Sequence, residues 1–186
     1  SPAYLRPGFA FGGSCLPKDL RALTHTARSN DIDTPLLANV LASNEVRLRH
    51  AVDLVIADGR RKVGIFGLSF KPGTDDLRES PMLELAERLI GKGFDVKIHD
   101  ANVIVSRLIG ANRSYIDERL PHTGELLVDD VDAVVAHGEV LIVASRAPEV
   151  LDALSRAGSE RLIIDLVRLP DAGQRRETAN YQGIGW

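Results

Sequence analysis

From Val63 onward, short apolar runs alternate with stretches of helical periodicity, and this alternation limits the fold more than any other feature of the 186-residue chain. The runs are VGIFGL at 63–68, DVKIH at 95–99, EVLIVA at 139–144 and RLIIDL at 161–166. Between them lie segments with helical spacing at about 81–90, 102–108, 131–136 and 148–157, the first with Ser80 as its N-cap. Strands that alternate with helices form βαβ units, and such units wind right-handed into a parallel sheet. The tail from 170 to 186 shows no clear period.

The first third of the chain is different. After an irregular start, Pro17 sits where a first-turn proline is tolerated, and Leu20, Leu23 and Ala27 carry a helix to about Ser29. Thr34 and Pro35 start a second helix, which runs past twenty residues until Gly59 stops it. A helix of that length more often spans between domains or subunits than sits in one small core. The expected architecture is α/β: an active-site loop and helical linker segment over 1–58, then a Rossmann-like parallel-sheet domain over 61–186.

Composition narrows the class. Hydrophobic residues make up 44% of the chain and charged ones 26%, as in ordinary soluble domains. The net charge of −3, with both signs interspersed, gives no support for a nucleic-acid or anionic-membrane partner. A single cysteine excludes an internal disulfide framework. No apolar run approaches the ~20 residues of a membrane span, and no signal segment stands at the start. A cytoplasmic location is the default expectation. The chain opens SPAYLRPGFAFGGSC, without a starting Met and directly on a specialised loop, so an upstream domain is expected.

Two stretches carry the chemistry. In GFAFGGSCLPKD, Gly8 to Asp19, three glycines and a proline permit tight turns and close backbone approach to a ligand. Cys15 falls at the start of a helix, where free amides and the helix dipole favour a thiolate. Lys18 adds positive charge, and Asp19, four residues on, shares the face of the sulfur if the helix begins near Cys15. A thiol with a carboxylate one turn away suits covalent catalysis followed by hydrolysis. A lone cysteine at a helix start also fits a buried structural thiol; the glycine and aromatic setting favours the nucleophile.

The second stretch, GLSFKPGTDDLRESP, spans Gly67 to Pro81 and comes after the first strand of the sheet, the place where open parallel sheets bind ligands. The phosphate-binding GxGxxG pattern is absent, because Phe70 and Lys71 occupy the turn after Gly64 and Gly67. Lys71 and Arg78 are placed to reach phosphates or sugar hydroxyls; an ordinary exposed turn at 71–73 is the alternative. Asp100 ends the second strand, where an acid can hold a ribose, but without GxGxxG it is expected to cap the next helix. The five histidines, 25, 50, 99, 122 and 137, do not pair at metal-ligand spacings, so no metal is expected.

The two stretches, in this order and about fifty residues apart, resemble the diagnostic segments of the nucleotide-sugar dehydrogenases, the UDP-glucose and GDP-mannose 6-dehydrogenases. The resemblance runs the length of the chain, and the opening YLRPGFAFGGSC and ending YQGIGW are more similar to the GDP-mannose type. It implies oxidation of a sugar primary alcohol to a carboxylate with NAD, through an aldehyde and a thioester. By motif position it makes Cys15 the nucleophile and Asp19 the residue that assists water. It sets Lys18 and Arg78 at NAD, and Tyr4, Leu5, Arg6, Phe9 and Lys71 around the nucleotide sugar, GDP-mannose. It further implies a homodimer formed on the long helix. The family's N-terminal NAD-binding domain has no counterpart here, so the chain alone is expected to be inactive. A UDP-glucose 6-dehydrogenase portion and a non-catalytic binding or dimerisation module are the competing readings.

Overall fold

A computed structural model of the chain describes residues 8–70, 73–103, 119 and 123–185. Helix α1 (Leu16–Ser29) begins with Cys15 at its N-cap, has Pro17 in the first turn and carries Asp19 and Arg28 at the ends where the helix dipole favours them. Only Pro17 and Ala27 of α1 are buried. Helix α2 (Pro35–Asp58) is 24 residues long and ends at Gly59, whose φ of 86° is the left-handed conformation that terminates helices. Its buried residues are Leu48, Ala51, Val52 and Val55, an i, i+3, i+4, i+7 stripe confined to the second half.

The sheet is built from β1 (Lys62–Phe66), β2 (Asp95–His99), β3 (Val140–Val143), β4 (Leu162–Asp165) and β5 (Tyr181–Gly183), all parallel, in the order β2-β1-β3-β4-β5. Val63 is the hinge of the register, opposite Val96 on one side and Val140 on the other. The strand order reverses between β1 and β3, which is where ligands bind in sheets of this kind. Between the strands run α3 (Pro81–Gly91), α4 (Thr123–Leu126), α5 (Val131–His137), α6 (Pro148–Arg156) and α7 (Ala172–Arg175).

Both faces of the sheet are covered, which explains why β3 and β4 are buried at every position. Alternate residues point to opposite faces. Val63, Ile65, Val140, Ile142 and Ile164 pack with Val52 and Val55 of α2 and Leu85 and Leu89 of α3. Phe66, Leu141, Val143 and Ile163 pack with Val134 of α5 and Val150, Ala153 and Leu154 of α6. Each fully buried Leu or Ile in these layers contributes roughly 1.5–3 kcal/mol. The second half of α2 therefore belongs to the core of the sheet, while its first half stands clear of it.

The alternation of helices and strands matches the sequence-based expectation to within one or two residues at most ends. The tail differs: the stretch from 170 to 186 contains α7 and the edge strand β5. These elements are four and three residues long, and only Tyr181 of β5 is buried, so neither can display a period. The helix expected at 102–108 falls largely outside the described residues; Asn102 and Val103 form a turn on Asp100.

Candidate active site

The glycine-rich loop before α1 is fastened at three points. Phe9 is 7% exposed and belongs to the main core. At Phe11, the backbone N–H donates to Asn44 Oδ1 at 3.0 Å and the carbonyl accepts from Asn44 Nδ2 at 2.8 Å. At Gly12, a Cβ would stand 2.0 Å from the carbonyl oxygen of Glu79 and 2.7 Å from Pro81 Cδ, so only glycine fits. Glu79 itself has a φ of 51°, and its carboxylate is gripped by Arg21 of α1, with Nη1 to Oε2 at 3.1 Å and Nη2 on Oε1. The loop with the thiol and the loop after β1 are thus joined through both main chain and side chains.

Cys15 emerges from this frame exposed at the helix start. Its thiol faces the Ser14 hydroxyl at 3.8 Å, and its carbonyl accepts the first intrahelical bond from the Asp19 amide at 2.8 Å. Asp19 sits one turn along, as the spacing requires, but its carboxylate lies 3.4 Å from Lys18 Nζ, with both side chains 67% exposed. Arg78 makes a two-pronged pair with Asp76, Nε to Oδ1 and Nη2 to Oδ2, both at 2.9 Å. That carboxylate holds the guanidinium above its usual value, and a negative charge on Cys15 acts on it in the same direction. The helix start therefore turns its free amides toward the thiol, with the Asp76-paired Arg78 close enough to feel its charge.

A cavity of about 1040 Å³ opens beside Cys15. The loop from Gly8 to Leu16 forms one wall, Phe70, Thr74 and Asp76 a second, and Asn39, Ser43, Asn44 and Arg47 of α2 a third. Sequence reasoning missed this polar wall of α2. Its signal was present, because Asn39, Ser43 and Arg47 recur every four residues and so share one helical face. Of the residues singled out from sequence, Cys15 and Phe9 line the cavity, whereas Lys18, Asp19 and Arg78 are not among its lining residues. Tyr4, Leu5, Arg6 and Lys71 lie outside the described residues.

The turn after β1 has a different occupation from a dinucleotide cradle. The amides of Leu68 and Ser69 and the Ser69 hydroxyl all donate to Asp100 Oδ2, at 2.8, 2.9 and 2.9 Å. Asp100 Oδ1 accepts from the Asn102 amide at 2.9 Å and so holds a turn; the helix it was expected to cap lies outside the described residues. The buried Ser80 hydroxyl donates to the Leu68 carbonyl at 2.6 Å and accepts from the Met82 and Leu83 amides to cap α3. Amides that would meet a phosphate in a GxGxxG turn are consumed inside the protein, which is the structural counterpart of the missing motif. Among the described residues no cluster suits a metal ion, and no helix is long and apolar enough to cross a membrane.

Fold and site together define a doubly wound parallel α/β protein with a candidate thiol-based active site clamped against the sheet. Comparison with known proteins gives the family. Residues 1–46 match the central domain, and residues 64–172 the UDP binding domain, of the UDP-glucose/GDP-mannose dehydrogenase family. The chain is 48% identical over 183 residues to GDP-mannose 6-dehydrogenase of Pseudomonas aeruginosa, covering 98% of this chain and 41% of that protein. It superposes on the crystal structure of a ternary complex of that organism's GDP-mannose dehydrogenase with a TM-score of 0.88, over 100% of this chain and 42% of the other. A UDP-glucose dehydrogenase from Pyrobaculum islandicum, 30% identical, gives a TM-score of 0.74 over 96% of this chain and 39% of its own. The chain belongs to the UDP-glucose/GDP-mannose dehydrogenase family. It spans about two fifths of the length of the curated relatives it matches.

Proposed function

We propose that the chain is the part of an NAD-dependent nucleotide-sugar dehydrogenase that carries the covalent nucleophile, and that the whole protein converts GDP-mannose to GDP-mannuronate. One observation carries the reading: the only cysteine stands exposed at a helix start, on the wall of a large cavity, in a chain 48% identical to a GDP-mannose 6-dehydrogenase. The Cys15 sulfur adds to the carbonyl carbon of the sugar aldehyde, and the thiol proton leaves to solvent or to the new hydroxyl. Loss of a hydride from that carbon, with the hydroxyl proton leaving to water, converts the adduct to a thioester. Water then attacks the acyl carbon, the C–S bond breaks, and the acid departs with the thiol restored. Asp19, exposed one turn from the sulfur, takes a proton from the attacking water.

NAD supplies the hydride acceptor when bound. Within this chain the exposed cations Lys18 and Arg78, beside Cys15, are the groups that suit its phosphates, while the turn after β1 does not, because Asp100 fills it. Phe9, with Tyr4, Leu5, Arg6 and Lys71, serves the nucleotide sugar. The apolar side chains of Leu36 and Val46, 81% and 60% exposed on α2, support a homodimer built on that long helix. The division into a linker segment at 1–58 and a sheet domain at 61–186 is part of the same proposal.

The test is Cys15→Ser in the full-length protein. The variant is expected to stop short of the uronic acid, with product analysis showing no GDP-mannuronate above background. Undiminished acid formation overturns the reading. Thermal shift with GDP-mannose against UDP-glucose separates the two substrates; stabilisation by the uridine nucleotide alone transfers the assignment to UDP-glucose.

A further inference from the structure

We propose that Asn44 is a positioning residue for the nucleophile: its side-chain amide holds the peptide of Phe11, and through it the loop that presents Cys15. The proposal rests on the reading of Cys15 as the nucleophile. Its basis is geometric. One carboxamide satisfies both main-chain groups of a single residue 33 positions away, accepting from the Phe11 N–H at 3.0 Å and donating to the Phe11 carbonyl at 2.8 Å. A neighbouring β-strand would offer the same pair of bonds, so Asn44 acts here as a one-residue strand. Phe11 stands four residues before Cys15, and the intervening segment is Gly12, Gly13 and Ser14. Two glycines in three residues leave that segment little stiffness of its own, so the thiol's position is set by its anchors.

The neighbouring residue on α2 explains why this anchor is accurate. Glu45 receives Arg88 of α3 through both terminal nitrogens, at 2.8 and 2.9 Å, and Arg88 also bonds Glu84 at 3.0 Å. Consecutive side chains of α2 thus hold the reactive loop on one side and are held by the sheet's first helix on the other. Asn44 reaches neither the sulfur nor Asp19, which makes its role one of placement. Small displacements are expensive in such a role, because misplacing a reacting group by about 1 Å can cost on the order of 10²-fold in rate.

Asn44→Ala and Asn44→Asp in the full-length protein test this. The aspartate keeps the size and the acceptor but sets a carboxylate against the Phe11 carbonyl. In Asn44→Ala hydrogen exchange at the Phe11 amide is expected to rise by about tenfold or more, from loss of the bond to Oδ1, while the amides of Ile65 and Ile142 stay protected; Asn44→Asp loses only the bond to the Phe11 carbonyl. The alkylation rate of Cys15 by iodoacetamide should change, and kcat for acid formation should fall about tenfold with KM for the nucleotide sugar within about twofold. Unchanged Phe11 exchange in Asn44→Ala, unchanged thiol alkylation, or a loss of rate that tracks the loss of folded protein overturns the proposal. The first two readouts need no substrate, so their failure leaves the proposed function standing. Acid formation that survives Cys15→Ser, beside a responsive Phe11 amide, removes the function and with it the catalytic meaning of the clamp.

Discussion

The main-chain oxygen of Glu79 lies against Gly12, 2.0 Å from where a Cβ on that glycine would stand. The contact joins the loop that carries the thiol to the loop after β1, and it leaves no room for any other residue. Gly12→Ala must push Glu79 or Pro81 away, and Glu79 is already held at a φ of 51° by its surroundings. The expected cost is about 1–3 kcal/mol, the usual range for overpacking. Urea denaturation of the variant checks the energy, and the Cys15 alkylation rate checks that the thiol moves with its loop. A variant as stable as the parent removes the interlock.

Acid should weaken the junction between α2 and α3. Arg88, hydrogen-bonded to Glu45, holds that carboxyl below its ordinary value of 4.5. Asp58 is likewise held below its ordinary 3.8 by Arg60 at the end of α2. A folded-state value below the unfolded one means the stabilisation is present above the unfolded value and lost as the pH falls through the folded one. Melting temperature should therefore be flat at neutral pH and decline below about pH 4.5. Glu45→Gln should flatten part of that acid limb, and added salt should shrink the difference, because Glu45 is partly exposed. An acid limb identical in parent and variant rules out this pair as its source.

Alkali should act at the opposite edge of the sheet. Burial first, and then the Asp165 carboxylate that accepts its hydroxyl proton, push the Tyr181 phenol far above its ordinary 10.0. With the folded value raised, the stabilisation is complete below pH 10 and is lost as the pH climbs beyond it. Tyr181→Phe should remove this alkaline dependence. At neutral pH it should cost about 1–3 kcal/mol, since Asp165 is fully buried and loses a donor, although the Val167 and Leu169 amides remain on it at 2.8 and 2.6 Å. Melting curves of parent and variant across the alkaline range decide the matter.

Much of the fold could be read from the chain because β1, β3 and β4 are buried at all positions but Lys62 and appear as mainly apolar runs. The helix starts were equally plain, since Pro17, Pro35, Pro81 and Pro148 each stand in a first turn. Strand β5 was hidden, with one buried residue out of three. Two features of the site were also hidden, for another reason. The bond from the Leu68 amide to Asp100 needs β1 and β2 side by side, and the Asn44 clamp joins residues 33 apart. No local pattern encodes such meetings, whereas Cys15 announced itself through the glycines, proline and helix start around it.

The far end of the chain meets this loop directly. Gly185, two residues beyond β5, sits with its Cα so near the Gly8 carbonyl that a Cβ would stand 2.4 Å from that oxygen, and Ile184 shares the main core with Phe9. The loop that carries the thiol is therefore braced by residues from the last strand onward. During synthesis, at roughly 5–20 residues per second, the cysteine leaves the ribosome many seconds before the strand that braces its loop. The holds of that loop on Asn44 and Glu79 are therefore available early, and the brace at Gly185 is added only once the last strand has been made.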